Sequence, residues 1–425
     1  MKRNAMVIAL AAAGLVLAGT ACADTTYSFS GFGTLGATHS DNREIDFVGS
    51  IVQPGGAGRS KAISTGIDSK AGVQAVAKIG NDLTGTFQVV ADRRFDNTYA
   101  PRFEWANLKY QISKEAYVRA GRVVAPVFMV SDYRNVGYAQ TMVRMPYDVY
   151  SQNPISHMDG IDVGYQFEFA GGTLGFSAVA GQIKEFVPGS QAKGNGKLLS
   201  MTFEKGYSTF RIGALKDRVN AEMDVNAQVD MLNDALTQYG YLVGRPGPVI
   251  PHRGIEMRLL DVGYLYDNGS WLAQAEYVSE RGGWQTVKDT DSWYLMAGYR
   301  LGKFTPYIGF SRLRDKEPAY PAPAAATLPI PVLQTLADAV NLIDVSIKPA
   351  WEQKTISLGL RYDFYKNVAA KLQYDRIHKP GSPTSPVAGM FKTADTFGVS
   401  ATSFAPWQVK DINVNLMTVT LDFVF

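Results

Sequence analysis

The 425-residue chain holds one cysteine, Cys22, and four histidines, His39, His157, His252 and His378. Cys22 falls in a segment expected to be removed on export, so no disulfide framework or thiolate chemistry is expected afterwards. The histidines lie in or beside expected loops, and none stands at metal-ligand spacing from another. His157 comes near Asp159, but a lone surface histidine is commoner than a catalytic one. No Gly-rich phosphate loop or calcium-loop spacing is present. No metal, cofactor or catalytic constellation is therefore expected. Long apolar runs are also missing: beyond Asp24 no 18 consecutive apolar residues occur, so no transmembrane helix is predicted. Nor does one sign of charge dominate. The net charge of +3 falls to +1 without Lys2 and Arg3, and no basic tail points to nucleic acid.

What is present begins with an export signal. Lys2 and Arg3 precede an apolar stretch from Ala5 to Gly19, and Ala21-Cys22-Ala23 is a small-residue cleavage site. The expected division is a signal peptide over 1–23 and a mature domain over 24–425. A lipoprotein anchor at Cys22 is disfavoured because Gly19 stands where such signals usually want leucine. The mature chain is rich in Gly (41), Tyr (22) and Phe (21), and its apolar residues alternate with polar ones. Ile356, Leu358, Leu360, Tyr362 and Phe364 alternate with polar partners, as do Trp293, Leu295, Ala297 and Tyr299. Ala71, Val73, Ala75, Ala77 and Ile79 do so beside Lys70 and Gln74. A period of two, apolar out and polar in, is the pattern of a membrane barrel, whose strands need only about 10 residues each.

Turn signals set the count. Tight turns are predicted at 80–82, 113–115, 170–172, 205–207, 267–270, 301–303 and 365–367, many of them Gly/Asn/Asp clusters. Between them run longer connections over 39–62, 94–100, 123–157, 183–195, 218–253, 282–290, 313–353 and 379–409. Fifteen connections imply sixteen strands, an even number with both ends on the short-turn side. The fold class predicted is an all-β transmembrane antiparallel β-barrel of sixteen strands. Helical spacing recurs in 220–243 and 331–343, which predicts loop helices over the mouth. Asn413 and Asn415 break the apolar outward pattern of the last strand.

The third long connection, 123–157, is long for a structureless loop, which signals function or packing. It contains Asp132, Tyr133 and Arg134, then Arg144-Met145-Pro146-Tyr147-Asp148-Val149-Tyr150. A narrow aperture that sorts ions needs opposed charges across it. The candidate pore-lining residues are Asp132, Arg134, Arg144 and Asp148, with Tyr133, Tyr147 and Tyr150 setting its width. Inward wall candidates are Lys70, Arg122, Arg361 and Lys371, with Gln74, Asp363 and Asp375 nearby.

Met417, Val419, Leu421, Phe423 and Phe425 share one face of the terminal strand, an ending that resembles the C-terminal signature of bacterial outer-membrane barrels. With the strand count and the third-loop position, the chain resembles a Gram-negative trimeric porin over its full mature length. The resemblance implies a third loop folded into the lumen, with Arg122 as a basic wall residue facing it. It also implies a homotrimer in the outer membrane, surrounded by lipid and lipopolysaccharide, with Phe425 read by the barrel assembly machinery. The function implied is passive diffusion of small hydrophilic solutes; the arginines of the loop favour small anions or organic acids. The chain lacks the Pro-Glu-Phe-Gly-Gly-Asp run of enteric general porins, so their selectivity does not transfer. The alternative is a barrel acting as adhesin or receptor through loops 218–253 and 313–353. An energised transporter is disfavoured because strand alternation starts at Tyr27, which leaves no plug domain. A soluble β-protein would expose too much apolar surface.

Overall fold

The computed structural model describes residues 25–425 apart from 51, 152, 188–189, most of 224–252, 283–288, 317–351, 381–390 and 393–410. The expected signal segment and the helical pattern at 331–343 lie outside the described residues. Within 220–243, Ala227, Asp230, Met231, Asp234 and Gln238 are helical.

Sixteen long strands follow one another: β1 (Thr25–Ser40), β2 (Lys70–Ile79), β3 (Leu83–Asp92), β4 (Arg102–Gln111), β5 (Ala116–Val124), β6 (His157–Phe169), β7 (Gly172–Val187) and β8 (Ser190–Lys205). Then come β9 (Ser208–Met223), β10 (Ile255–Asp267), β11 (Trp271–Arg281), β12 (Thr290–Tyr299), β13 (Phe304–Asp315), β14 (Gln353–Tyr365), β15 (Val368–Lys379) and β16 (Ile412–Val424). Each pairs antiparallel with the next, and β16 pairs with β1 from Phe32↔Val424 to Ser40↔Leu416, which closes the barrel. Closure satisfies backbone groups that an open sheet edge would leave bare in lipid. The tight turns form where expected; Gly206 and Asn367 take φ of +59° and +60°, the left-handed region such turns require.

Alternation holds around the wall. On β14 the side chains of Ile356, Leu358, Leu360, Tyr362 and Phe364 are exposed outward, while Ser357 on the other face is buried. On β16 Met417, Val419 and Leu421 face outward, and Val414, Leu416, Thr418, Thr420 and Asp422 are buried inward. Phe423 and Phe425 lie over Gly33 and Gly31, where an added Cβ would meet the rings at 2.3 Å. Glycine there is what lets the terminal rings fold down onto β1. The two asparagines find polar partners on the outer face: Tyr374 donates to Asn415 Oδ1 at 2.7 Å, and Asn413 Oδ1 lies 3.1 Å from His378 Nδ1.

One connection departs from expectation. Residues 183–195 do not form a long loop; β7 and β8 run 16 residues each and stay paired as far as Val187↔Ser190. Gly194, Gly196 and the neighbouring lysines read as a loop because they are polar and glycine-rich. A hairpin can project past the apolar band and keep its backbone hydrogen bonds without any apolar pattern. For the same reason β9 extends to Met223, into the expected loop 218–253.

Candidate functional site

The segment between β5 and β6, residues 125–156, is folded into short 3-10 turns at Ser131–Tyr133 and Gly137–Ala139 and a helical turn at Tyr147–Tyr150. Val127, Phe128, Val130, Met142, Met145 and Val149 pack with inward residues of the wall, among them Leu198, Leu215, Leu259 and Met296. A connection this long is ordered here because it owns an apolar core of its own.

Polar ties fix it at four places. The first is Arg144, whose guanidinium donates to Asp68 Oδ1 and Oδ2 (2.8 and 2.5 Å), Asp375 Oδ2 (3.1 Å), Thr38 Oγ1 (3.0 Å) and Thr418 Oγ1 (2.8 Å). It also lies over the rings of Phe47 and Tyr147. Burial opposes charge on Asp68, but the Arg144 guanidinium beside it outweighs burial and holds its carboxyl below the usual range. The second is Glu276 on β11: Met129 N–H donates to Oε1 (2.7 Å), and the hydroxyls of Tyr150 and Tyr294 donate to Oε2 (2.6 and 2.9 Å).

The third tie comes from β14 and β15. Lys371 donates to the carbonyls of Gly137 (2.7 Å) and Met142 (3.1 Å) and pairs with Asp422 at 3.1 Å. Arg361 donates to the carbonyls of Tyr138 (2.7 Å) and Gln140 (2.9 Å) and pairs with Asp363. The fourth is Asp148, which accepts from the Ser311 hydroxyl of β13. Its carboxyl is pushed up by burial, against the pull of hydrogen bonds from Ser311, Thr355 and Gln353.

These ties draw the segment onto the wall formed by β9–β16 and β1, and the remaining polar spaces border the opposite wall. One lies on the long-loop side, among Lys70, Asp92, Arg94, Arg102, Arg134 and Glu185. There Arg94 pairs with Glu185 at 2.9 Å, and Arg102 pairs with Asp92 and with Glu104 at 3.3 Å. Lys70 and Arg134 have no carboxylate within ion-pair distance among the described residues; the one hydrogen bond from Arg134 runs to the Ile155 carbonyl at 3.5 Å. The second space lies on the short-turn side, among Arg119, Asp132, Tyr133, Asp162, Glu204 and Arg211. Tyr133 is pushed up to about 12 by burial, so its hydroxyl stays neutral.

The sequence-predicted residues thus divide. Arg144, Asp148, Tyr150, Arg361 and Lys371 come together as anchors of the segment rather than as free charges. Tyr147 stacks edge-on against Phe47, with ring centroids 5.0 Å apart. Lys70 and Arg134 border the upper space, and Asp132 and Tyr133 the lower. Arg122 does not face the segment. It stands two residues after the exposed Ala120 and directly opposite Asp159, which precedes the exposed Ile161 by two, so it continues an outward row. Its guanidinium pairs with Asp159 at 2.7 Å and donates to the Phe103 carbonyl at 3.1 Å. The inward basic residue of β5 is Arg119, paired with the buried Asp162 at 2.6 Å. A strand places neighbours on opposite faces, so an error of one in parity moves a side chain across the wall.

No protein-family model and no curated protein sequence matches the chain. Solved structures do. The outer-membrane channel DcaP of Acinetobacter baumannii superposes with a TM-score of 0.54 at 12% identity, covering 95% of this chain and 98% of that one. An anion-selective porin from Comamonas acidovorans gives 0.52 at 12% identity, covering 95% and 100%. OmpF of Salmonella typhi, solved with daunomycin, gives 0.51 at 15% identity, covering 94% and 97%. The fold is that of the sixteen-stranded outer-membrane porins.

Within this porin fold, the sequence reading missed Glu276, Tyr294 and Tyr307, which meet the segment from β11, β12 and β13. Tyr307 bonds Gln373 Oε1 at 2.8 Å, beside the Val143 amide that reaches the same oxygen at 3.0 Å. It also missed Arg94, Arg102 and Glu185. Arg94 and Glu185 fell in the connections expected at 94–100 and 183–195, and which inward residues share a height and a sector of the barrel is not carried by any one strand.

Proposed function

We propose that this protein is an outer-membrane channel through which small hydrophilic solutes diffuse passively, with a bias toward small anions. The anchored segment 125–156 is the constriction in this reading, and solutes pass between it and the wall of β2–β8. The observation that carries the bias is the pair Lys70 and Arg134. Both border the space on the long-loop side, and both lack a carboxylate partner among the described residues, whereas the other arginines there are paired. An unpaired cation beside a narrow aqueous path attracts anions and repels cations, while a paired one contributes little beyond a short distance. The carboxylates of organic acids match the guanidinium of Arg134 in geometry as well as charge.

The chain acts in this reading as a homotrimer in the outer membrane, exported with a cleaved signal, and no catalytic step forms part of it. The support for the porin-type assembly is the fold shared with known porins.

The test is planar-bilayer conductance of the refolded mature chain under a salt gradient, with small carboxylates titrated in. The reversal potential is expected on the anion side, and Lys70→Ala/Arg134→Ala is expected to move it toward cations. A wild-type pore in which cations dominate, or a double variant with unchanged reversal potential, would refute the anion reading. Absence of any openings would remove the channel reading itself.

A further inference from the structure

The segment 125–156 is not the only connection inside the barrel. Residues 41–69, between β1 and β2, also fold inward. Asn42 Oδ1 accepts from the amides of Glu44 and Ile45 (2.8 and 3.1 Å), which turns the chain just past the end of β1. The short stretch Asp46–Phe47 then pairs antiparallel with Ala57–Gly58 and, on its other edge, with Phe391–Lys392. Ile45, Phe47, Val48 and Ala57 are buried together with Ile377, Val414 and Leu416, which are inward residues of β15 and β16. Apolar side chains on a connection settle on whatever apolar surface is offered, and here that surface is inside the lumen. The Phe47 ring meets Tyr147 edge-on at 5.0 Å and lies against the Arg144 guanidinium. The first connection thus packs on the segment 125–156 from the long-loop side.

Between the paired residues Phe47 and Ala57 the chain makes an excursion, 48–56, that is pinned in place. Gln53 is 4% exposed and holds it: Gly49 N–H donates to Oε1 at 2.7 Å, and Nε2 donates to the carbonyls of Gly66 and Ile67 at 3.2 Å each. The Gln53 amide donates to the Ser50 carbonyl at 2.9 Å. Gly56 crosses so close to Phe47 that an added Cβ would strike the Phe47 carbonyl oxygen. Gly49, Ser50, Val52 and Gln53 border the same space as Lys70 and Arg134. That space measures about 170 Å³, against about 470 Å³ for the one on the short-turn side. The excursion therefore borders the tighter of the two.

Its composition separates it from the rest of that space. Residues 48–56 carry no charged side chain, whereas Lys70, Asp92, Arg94, Arg102, Arg134 and Glu185 stand around them. A neutral, tightly held element beside an aqueous path narrows it without adding a field, and pore diameter and pore charge are separate determinants of passage.

We propose that the excursion 48–56 is a second constricting element, which sets the upper size limit of the solutes that reach Lys70 and Arg134. The inference rests on the channel reading above. Size selection then belongs to 48–56 and charge selection to Lys70 and Arg134, so the two come apart in experiment.

The refolded chain 24–425 has no cysteine, so one introduced thiol is the only one a reagent can label. Ser50→Cys is treated with a bulky neutral thiosulfonate, labelling is read by intact mass, and single-channel current is recorded. Labelled Ser50→Cys is expected to lose most of its current, while labelled Arg59→Cys, exposed at the base of the excursion, is expected to keep it. In a second variant Asn-Gly replaces 48–56 and closes a two-residue hairpin turn between Phe47 and Ala57. Liposomes bearing wild type are expected to swell in glucose and barely in raffinose; those bearing the excised variant are expected to swell in both at similar rates. The excised variant is expected to keep its reversal potential on the wild-type side. A Ser50→Cys thiol that stays unlabelled, a label that leaves the current unchanged, or a wild type that admits raffinose as fast as glucose would overturn the proposal. So would an excised variant that still holds raffinose back. If that variant does not refold, the thiol result decides alone. A wild type without any openings removes the channel reading and this one with it, whereas open channels indifferent to labelling and excision remove this one only.

Discussion

Replacing Arg144 by methionine tests whether the segment 125–156 is latched by charge. The guanidinium sits between two buried carboxylates, Asp68 and Asp375, and its loss leaves both without their cation, along with the hydroxyls of Thr38 and Thr418. Removing one partner of a buried ion pair costs about 3–5 kcal/mol. Packing of the methionine against Phe47 and Tyr147 recovers only part of that. With about 1.4 kcal/mol per factor of ten, the population in which Val143–Tyr147 leaves the wall rises by roughly two to three orders of magnitude. The barrel ladders do not depend on this residue, and the ties through Glu276, Lys371, Arg361 and Ser311 persist. The expected result in single-channel recordings is therefore strong open-state current noise with a modest change in mean conductance, in a variant that refolds and resists heat as a barrel. Arg144→Met combined with Asp68→Asn removes a stranded charge and is expected to quieten the noise. A quiet Arg144→Met channel of wild-type stability would refute the latch.

Other consequences follow from the same contacts. The folded carboxyl of Asp68 is held below its usual 3.8, so the Asp68 arm of the Arg144 latch is complete above that value and is lost as pH falls through the lower one. Wild-type noise is expected to rise only below about pH 4, and Arg144→Met to show no such acid step. Asp148 has its carboxyl pushed up by burial, so its charge is a cost at neutral pH that protonation relieves. Asp148→Asn, which keeps an acceptor for the Ser311 hydroxyl, is expected to gain about 1 kcal/mol at pH 7 and less at pH 4 in thermal unfolding. An equal gain at both would refute it. Gly121 sits at φ +120°, and a Cβ there would come 2.4 Å from the Ala106 carbonyl oxygen. Gly121→Ala is expected to destabilise the β4–β5 edge by about 1–3 kcal/mol, read as a lowered unfolding midpoint.

Much of the architecture was legible because a barrel is encoded locally. Alternation in 355–364 and 292–299 and the Gly/Asn/Asp turn clusters are short-range signals, and counting them yields the strand number. What failed did so for equally local reasons. The hairpin of β7 and β8 projects beyond the band, where polarity no longer reports on lipid contact, so 183–195 looked like a loop. Arg122 was assigned inward when the alternation around Ala120 and Ile161 puts it outward, with Arg119 facing the lumen instead. The site was harder to read because its decisive pairs are distant in sequence. Arg144 meets Asp375 across 231 positions and Met129 meets Glu276 across 147. Sequence parity says that Asp375 and Glu276 face inward; the height at which they meet a folded segment depends on strand tilt and register, which no single stretch encodes.

The division of the basic residues is what gives the anion reading its content. A field across an aperture can sort solutes only if the charges that make it stay still, and a segment of 32 residues stays still only if something holds it. Arg144, Lys371 and Arg361 do that work, and each is matched at close range by Asp68 and Asp375, Asp422 or Asp363. A matched charge in contact with its counter-ion projects little field into an aqueous path. Counting the basic residues at the segment and the wall that holds it therefore overstates their effect on ions, because Arg144, Lys371 and Arg361 act as anchors. In the proposed reading, what remains to act on a passing ion on the long-loop side is the unmatched pair Lys70 and Arg134, with Asp132 on the short-turn side likewise without an ion-pair partner among the described residues. Neutralising an anchor should thus disturb noise and stability more than selectivity, and neutralising Lys70 or Arg134 should do the reverse.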